Sequence, residues 1–243
     1  MLTVVPTRSK TAVFLTAGWH NLAMLNFPVA PGLLEPYLPA GTELDFWHGR
    51  PYLSVVGFQF VRCAVLGIPL WLHQQFEEVN LRFYVIRPMP EGPRRGVVFI
   101  REIAPKRLIS VAARWFYNEK YVTMPMRHRI EESGVQYEWW HAGRWNGLSI
   151  VTGAAALAPV CGTEEDFIAE HYWGYSKQRD GGTIEYEVEH PPWRVAPGQS
   201  ATYDCDVEAV YGKAFVPYLR EPTSAFVADG SPVLVRRGTR LGA

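Results

Sequence analysis

The segment FEEVNLRFYVI, residues 76–86, decides the fold, because its side chains alternate between polar and apolar from residue 78 to residue 85. A period of two is typical of a β-strand, whose successive side chains point to opposite faces. One face is apolar and is expected to pack in the core: Val79, Leu81, Phe83 and Val85. The other face is polar: Glu78, Asn80, Arg82 and Tyr84. Glu78 and Arg82 are ~13 Å apart along an extended strand, so the pattern does not indicate a simple ion pair.

The polar face of this strand has two interpretations. Antiparallel sheets often leave one face in water, so these side chains can form a solvent face. Alternatively, they line the polar cavity of a barrel. An acid, an amide, an arginine and a tyrosine on one face are groups that orient a small anion or carbonyl compound in a binding site. The strand alone leaves both interpretations open.

The neighbouring segments predict further strands. GVVFIREI (96–103) is expected to pair with the polar-faced strand across a proline-rich loop. LDFW (44–47) is expected to form a hairpin with YLSVVGFQFVRCAV (52–65). TIEYEVEH (183–190) alternates as a half-exposed strand does, with its glutamates on the outer side. TSAFVA and SPVLVRR, within 223–237, read as two terminal strands.

Helices are predicted at only a few places. RLISVAARWFYN (107–118) repeats its apolar residues as one face of a helix does. A second helix is expected to begin at Thr163, which is followed by acidic residues that suit a helix N-terminus, and a short third helix is expected near VEAVYGKAF (207–215). Many strands with two or three short helices predict an α+β fold in a single domain, residues 1–243, built on a large, closed antiparallel sheet.

Composition excludes several classes of protein. Lysine plus arginine equals aspartate plus glutamate, 24 of each, so the formal net charge is zero. A dedicated nucleic-acid binder usually shows a basic balance, and we expect no nucleic-acid partner. Three widely spaced cysteines indicate reduced thiols in the cytoplasm. No signal peptide and no apolar run of about 18 residues is apparent, so no membrane association is expected.

Motifs for metal or cofactor binding are missing from the sequence. The seven histidines form no HxH, HxxxH or HExxH pattern. Signatures of serine hydrolases, nucleotide-binding loops and dinucleotide-binding loops are also missing. We therefore predict no metal and no cofactor. His190, on the apolar side of its strand, is either a buried core histidine or a pocket residue.

The segment AARWFYNEKY (112–121) contains further candidate site residues. If its helix continues to the end, Arg114, Tyr117 and Tyr121 share one side and Lys120 lies against aromatic residues. A desolvated lysine has a lowered pKa and can act as a nucleophile. Alternatively, Asn118 ends the helix and Lys120 is an ordinary surface lysine whose stem covers apolar side chains.

Several segments, in their order, resemble the YqjF-like family, domain of unknown function 2071. The segments are residues 19–60, FEEVNLRFYV, GVVFI, AARWFYNEKY, HYWGY, VEHPPWRV and SPVLV. This family is placed near acetoacetate decarboxylase. The resemblance implies an α+β fold around a cone-shaped antiparallel barrel with an enclosed cavity, and it favours the cavity interpretation of the polar strand face.

The resemblance also assigns roles to particular residues. The decarboxylase relatives carry an aromatic-x-Glu strand motif, which FEE resembles, so Glu78 takes the place of that glutamate. Their Schiff-base lysine is the first of two adjacent lysines. Aligning the segments by Arg114 places Tyr121 on this lysine and Lys120 one residue before it, a shift that rotates a helical side chain by ~100°. The alignment implies that the segment lines the cavity and that Lys120 is not the Schiff-base lysine.

Three functional hypotheses follow. The first is an enzyme without a Schiff base that uses Glu78 or Tyr121 as general acid or base on a small carbonyl or carboxylate compound. In it, the ligand is bound by residues of the two segments and by one histidine: Asn80, Arg82, Tyr84, Arg114, Tyr117, Lys120 and His190. The second is a non-catalytic ligand-binding or assembly protein, and the third is a Schiff-base decarboxylase using Lys120. A homo-oligomer is compatible with the sequence.

Overall fold

The computed structural model describes residues 11–70, 75–105 and 121–241. Most of these residues are in strands: β1 (Val13–Pro28), β2 (Glu43–Leu44), β3 (Tyr52–Val65), β4 (Ile68–Pro69), β5 (Gln75–Arg87), β6 (Arg94–Ala104), β7 (Tyr121–Thr123), β8 (Met126–Glu131), β9 (Gly134–His141), β10 (Arg144–Thr152), β11 (Trp173–Lys177), β12 (Thr183–Glu189), β13 (Val195–Asp204), β14 (Ser224–Arg236) and β15 (Thr239–Arg240). The helices in this part of the chain are short: α1 (Pro31–Leu34), α2 (Glu164–Ala169), α3 (Val207–Tyr211) and the 3₁₀ turns Glu35–Tyr37 and Lys213–Phe215. The prediction of many strands with few helices is confirmed.

Seven strands form a ring of hydrogen-bonded neighbours. Their order is β12, β11, β6, β5, β3, β1 and β14. The ring returns to its start because β14 also pairs with β12, through Val188 opposite Val235 and Glu189 opposite Leu234. Every pairing in it is antiparallel except the one between β11 and β6. Beyond β14 the sheet continues through β13, β10, β9 and β8.

This continuation folds back over the outside of the ring, so that β5 is covered on both faces. The outer face of β5, with Val79 and Leu81, belongs to an apolar core shared with Tyr137 and Trp139 of β9 and with α3. A second core lies on the inner side and contains Val56 and other residues of β1 and β3. Four polar residues of β5 face this inner side and are at most 7% exposed: Glu78, Asn80, Arg82 and Tyr84. The interpretation of that face as a solvent face is therefore wrong.

Two predictions about strand pairing are also wrong. The LDFW segment does not form a hairpin with β3, because β2 pairs instead with β5, through Leu44 opposite Val85. TSAFVA and SPVLVRR form one continuous strand, β14, rather than two. Gly230 makes this continuity possible. Its φ of +81° suits glycine, and a Cβ there would lie 2.0 Å from the Trp19 carbonyl oxygen, which no larger residue could accept.

The alternation predicted for β12 is confirmed, but its exposure is not. Glu185 and Glu187, expected to be on a wet face, are about as buried as core residues, at 5% and 6% exposure. Arginines from distant parts of the chain cover them, and the sequence pattern of one strand contains no information about such partners.

The predictions for the helices have different outcomes. Thr163 caps α2 as expected, because its hydroxyl accepts a hydrogen bond from the Asp166 amide. The helix predicted near residues 207–215 is confirmed as α3 and the 3₁₀ turn that follows it. The helix predicted over 107–118 lies outside the described residues. Within the described ranges, no helix has the length and hydropathy needed to cross a membrane.

Candidate functional site

A cavity lies inside the strand ring, against the polar face of β5. It offers about 120 Å³ to the centres of water-sized molecules. Its polar lining residues lie on β5, β6 and β7 and just after α2: Glu78, Asn80, Arg82, Glu102, Tyr121 and His171. The rest of the lining is mainly aromatic and aliphatic.

Glu78 lies at the centre of the polar cluster. The Tyr121 hydroxyl donates a hydrogen bond to Glu78 Oε2 at 2.5 Å, and Asn80 Nδ2 donates to Oε1 at 3.1 Å. Burial raises the pKa of the Glu78 carboxyl to about 7, although these two hydrogen bonds and the charge of Arg82 act in the opposite direction. A carboxyl group with this pKa exchanges its proton readily near neutral pH, as a general acid or base must.

Glu102 joins the cluster because of a β-bulge in β6. Leu81 of β5 pairs with Arg101, and the next residue, Arg82, pairs with Phe99. Ile100 therefore has no partner on β5. Phe99 and Glu102 are three residues apart and would lie on opposite faces of a regular strand. The extra residue turns Glu102 to the inside, beside Tyr121, its neighbour on β7. Strand alternation alone could not have identified Glu102.

Arg82 is a buried cation without a carboxylate partner in the described part of the chain. Its Nη2 is 3.4 Å from the Ile168 carbonyl oxygen and 3.9 Å from the sulfur of Met24. Its Nε is buried and makes no hydrogen bond to any described residue. A buried guanidinium group is normally paired with an anion, because removing a charge from water costs several kcal/mol. This arginine therefore resembles one half of an ion pair.

Tyr84 is behind the lining rather than part of it. Its ring lies 5.7 Å from the Arg82 guanidinium carbon and 4.7 Å from the His171 ring. Its hydroxyl is 2.6 Å from Ser54 Oγ, which donates to Asn26 at 2.6 Å. These contacts fix the positions of two lining residues. The predicted binding role of Tyr84 stays a prediction.

Two histidines contribute to the cavity wall. His171 follows α2 in an irregular segment; beside Tyr172 and Trp173 it fits a pocket rim, but the sequence favoured aromatic packing, and it was not chosen as a site residue. Neither of its ring nitrogens makes a hydrogen bond of normal geometry to the described residues. Burial, and then the charges of Arg95 and Arg82, lower its pKa well below the ordinary value, so the ring is neutral at pH 7. His190 stacks on Trp193 at 4.1 Å and lines both the cavity and an outer groove.

The structure thus brings together most of the predicted site residues that it describes. Five of them line one cavity: Glu78, Asn80, Arg82, Tyr121 and His190. Arg114, Tyr117 and Lys120 lie outside the described residues. Over the described ranges, no group of three histidine, cysteine, aspartate or glutamate side chains is arranged to hold a metal ion.

Comparisons with known proteins agree on the family and the fold. The model of the DUF2071 family, described as an uncharacterized conserved protein, matches residues 16–232. The uncharacterized protein YqjF of Bacillus subtilis (strain 168) is 25% identical over 200 residues, which cover 79% of this chain and 78% of YqjF.

Solved structures of similar fold are much more distant in sequence. Acetoacetate decarboxylase from Legionella pneumophila has a TM-score of 0.68 at 10% identity, with 98% of this chain and 93% of that chain covered. The enduracididine biosynthesis enzyme MppR complexed with pyruvate has a TM-score of 0.67 at 11% identity, with the same coverage. At such low identities the likeness shows a shared fold.

Proposed function

Because this chain belongs to the DUF2071 family and has the fold of acetoacetate decarboxylase-like proteins, we propose that it binds a small carboxylate-bearing carbonyl compound inside a closed, cone-shaped barrel. The ring of seven strands and the cavity within it support the closed barrel. The pyruvate bound to MppR, a protein of similar fold, supports a ligand that carries both a carboxylate and a carbonyl group.

Arg82 is the observation that carries this proposal. Its guanidinium group is buried in the cavity wall and has no carboxylate partner in the described part of the chain. A ligand carboxylate would supply the missing charge and accept two parallel hydrogen bonds, the geometry that arginine favours. A neutral ligand would leave the charge uncompensated.

Glu78 and Tyr121 supply the chemistry in this proposal. With its carboxylate held by Arg82, the ligand presents its carbonyl group to Glu78 and Tyr121. Ionised Glu78 removes a proton from the carbon next to the carbonyl group, which gives an enolate and protonated Glu78. The Tyr121 hydroxyl then turns from Glu78 to donate a hydrogen bond to the enolate oxygen. Return of the proton from Glu78 completes the cycle without a covalent intermediate.

A non-catalytic binding protein is the second candidate. The hydrogen bond between Tyr121 and Glu78 favours it, because the two groups satisfy each other in the free protein. The Schiff-base hypothesis depends on Lys120, which lies outside the described residues, and stays a prediction. We also propose a cytoplasmic location, because the three cysteines are free, as a reducing compartment requires. A homo-oligomer likewise stays a prediction.

Binding and proton exchange together test the proposal. Pyruvate, 2-oxobutyrate and acetoacetate are titrated into the protein by calorimetry, and exchange of the protons next to the carbonyl for deuterium is followed by NMR in D₂O. We expect binding, and exchange above the rate in buffer. Glu78→Gln should reduce exchange by roughly 100-fold. Glu77→Gln is the matched control, because Glu77 contacts His128 instead of lining the cavity.

The outcomes separate the two candidates. Binding without exchange in the wild-type protein means that the enzymatic half of the proposal is wrong and the binding protein is right. An equal loss of exchange in Glu77→Gln means that Glu78 has no special role. If none of the oxo acids binds, the carboxylate-binding role of Arg82 is wrong.

A further inference from the structure

The cavity has two chemically different sides. In the ring, β12 and β14 are each three strands away from β5, the largest separation that seven strands allow, so they lie opposite β5 across the interior. The residues that these two strands contribute to the cavity are Tyr186, Val188 and Val235. All three belong to one apolar cluster, together with Phe14 of β1. The polar residues of β5 therefore face an apolar wall.

Aromatic side chains connect this wall with the polar cluster. Phe58 is the cross-strand neighbour of Glu78, and its ring packs edge-on against Trp19 at 5.4 Å. Trp19 in turn lies 6.3 Å from Trp193. An aromatic surface thus runs from the position of Glu78 around β3 and β1 towards the loop after β12. All three aromatic residues line the cavity.

The lining of the cavity extends well beyond the polar cluster. It runs from Glu78 and Arg82 on β5 to Val188 and Val235 on the opposite wall, so an oxo acid head held by β5 would leave that wall uncovered. The remaining space would be bordered by aromatic and aliphatic carbon, where water finds few hydrogen-bond partners. Apolar space of this kind favours an apolar group of the ligand, because moving carbon from water into a preformed apolar pocket is favourable.

We propose that the ligand is amphipathic: a 2-oxo acid that carries an aryl or branched alkyl tail, with its carboxylate at Arg82 and its tail against the wall of β12 and β14. This inference rests on the proposed carboxylate and carbonyl site and adds the chemical class of the tail. The wall then determines specificity, and the polar cluster holds the head that all such ligands share.

A pair of ligands with the same head tests the tail directly. Pyruvate and phenylpyruvate share the oxo acid, and only phenylpyruvate carries a ring. We expect phenylpyruvate to bind the wild-type protein 10- to 100-fold more tightly, as burial of a phenyl group would give. Equal affinities would overturn the tail and leave the proposed function intact. If neither compound binds, the proposed function itself fails.

Two substitutions on the apolar side locate the tail. Val188→Phe places a ring in the space assigned to the tail, and we expect phenylpyruvate to lose at least tenfold in affinity while pyruvate changes by less than about threefold. Phe58→Leu removes aromatic surface beside Glu78 and should weaken phenylpyruvate binding more than pyruvate binding.

The binding of pyruvate reports that each variant is folded, so a variant that fails to fold is recognised and the other remains informative. Tight phenylpyruvate binding by a folded Val188→Phe protein would overturn the placement of the tail.

Discussion

Two strands of the ring, β12 and β5, each carry a row of buried charged residues. The two rows differ in whether the charges have ion-pair partners. On the outer face of β12, the Glu185 carboxylate accepts hydrogen bonds from Arg87 Nη1 at 2.7 Å, from Arg94 Nη1 at 3.1 Å and from the Tyr175 hydroxyl at 3.0 Å. On the inner face of β5, Arg82 has no carboxylate partner in the described part of the chain. Both rows are equally inaccessible to water. Burial alone therefore does not distinguish the two rows, whereas the missing carboxylate partner of Arg82 does.

The two charges are expected to contribute differently to the free energies of folding and of ligand binding. A buried charge whose hydrogen bonds are complete holds the fold together, and its loss leaves the partners uncompensated. A buried charge that lacks a partner costs the free protein stability, and only a ligand can recover it. Glu185 and Arg82 can therefore be distinguished by substitutions that remove one charge each.

The largest expected effect on stability is at Glu185. Glu185→Gln leaves Arg87 and Arg94 facing a neutral amide, and we expect the free energy of unfolding to fall by about 3 kcal/mol. This is the lower end of the range for buried pairs, because both arginine side chains are about one-quarter exposed. Urea unfolding measures the change, and oxo acid affinity should stay as in the wild type. A loss below about 1 kcal/mol would remove the contrast.

The next largest effect is expected at Arg82, where substitution should change ligand affinity and leave stability almost unchanged. Arg82→Met removes a buried cation that has no carboxylate within ion-pair distance among the described residues, so the free energy of unfolding should stay the same or rise by about 1 kcal/mol. Affinity for pyruvate should fall by roughly 50-fold. Arg127→Met is the control, because it removes the same charge from an exposed pair with Glu138 and should change neither quantity. A strongly destabilised Arg82→Met protein would mean that the guanidinium group already has a partner in the free protein.

A smaller effect is expected from the ionisation of Glu78. Its pKa is about 7 in the folded protein and close to the ordinary value of 4.5 when unfolded. Between these values the folded state keeps a proton that the unfolded state has lost, so stability falls as pH rises. From pH 5 to pH 8 the wild type should lose on the order of 2 kcal/mol relative to Glu78→Gln. Unfolding of both proteins across this range measures the difference, and parallel curves would contradict a raised pKa.

No effect at all is expected at Lys120. Borohydride reduction in the presence of pyruvate or acetoacetate traps a Schiff base, and we expect mass spectrometry of the digested protein to find no adduct on this lysine. In the alignment by Arg114, Tyr121 takes the place of the reactive lysine, and its hydroxyl is bound to Glu78. A stoichiometric adduct that disappears in Lys120→Ala would restore the decarboxylase mechanism, and Glu78 would then serve that mechanism instead.

The comparison of the two strands also shows what the sequence could reveal. Alternation identified the faces of β5 and β12 correctly, because a strand's side-chain period is a local property. It could not show what covers each face. The outer face of β12 was expected to be wet, but Arg87 and Arg94, about 90 residues earlier in the chain, bury it. The family resemblance, rather than the pattern of β5, favoured a cavity over solvent.

The polar lining of the cavity was predictable where its residues lie on a regular strand. Glu78, Asn80 and Arg82 share one face of β5, and their position in the cavity followed from the alternation once the resemblance favoured an interior face. Glu102 and His171 could not be found in this way, since one follows a β-bulge and the other lies in an irregular segment. Departures from regular structure are common near binding sites, so pattern analysis fails there for a physical reason.

The β-bulge of β6 has a consequence for how relatives of this protein diverge. Deleting Ile100 would restore regular pairing and leave Phe99 and Glu102 two residues apart, on the same inner face of the strand. A single-codon deletion could thus remove the bulge while the carboxyl group stays in the interior. Among homologous chains, a glutamate two residues after the position of Phe99 should therefore be equivalent to Glu102, which lies three residues after it.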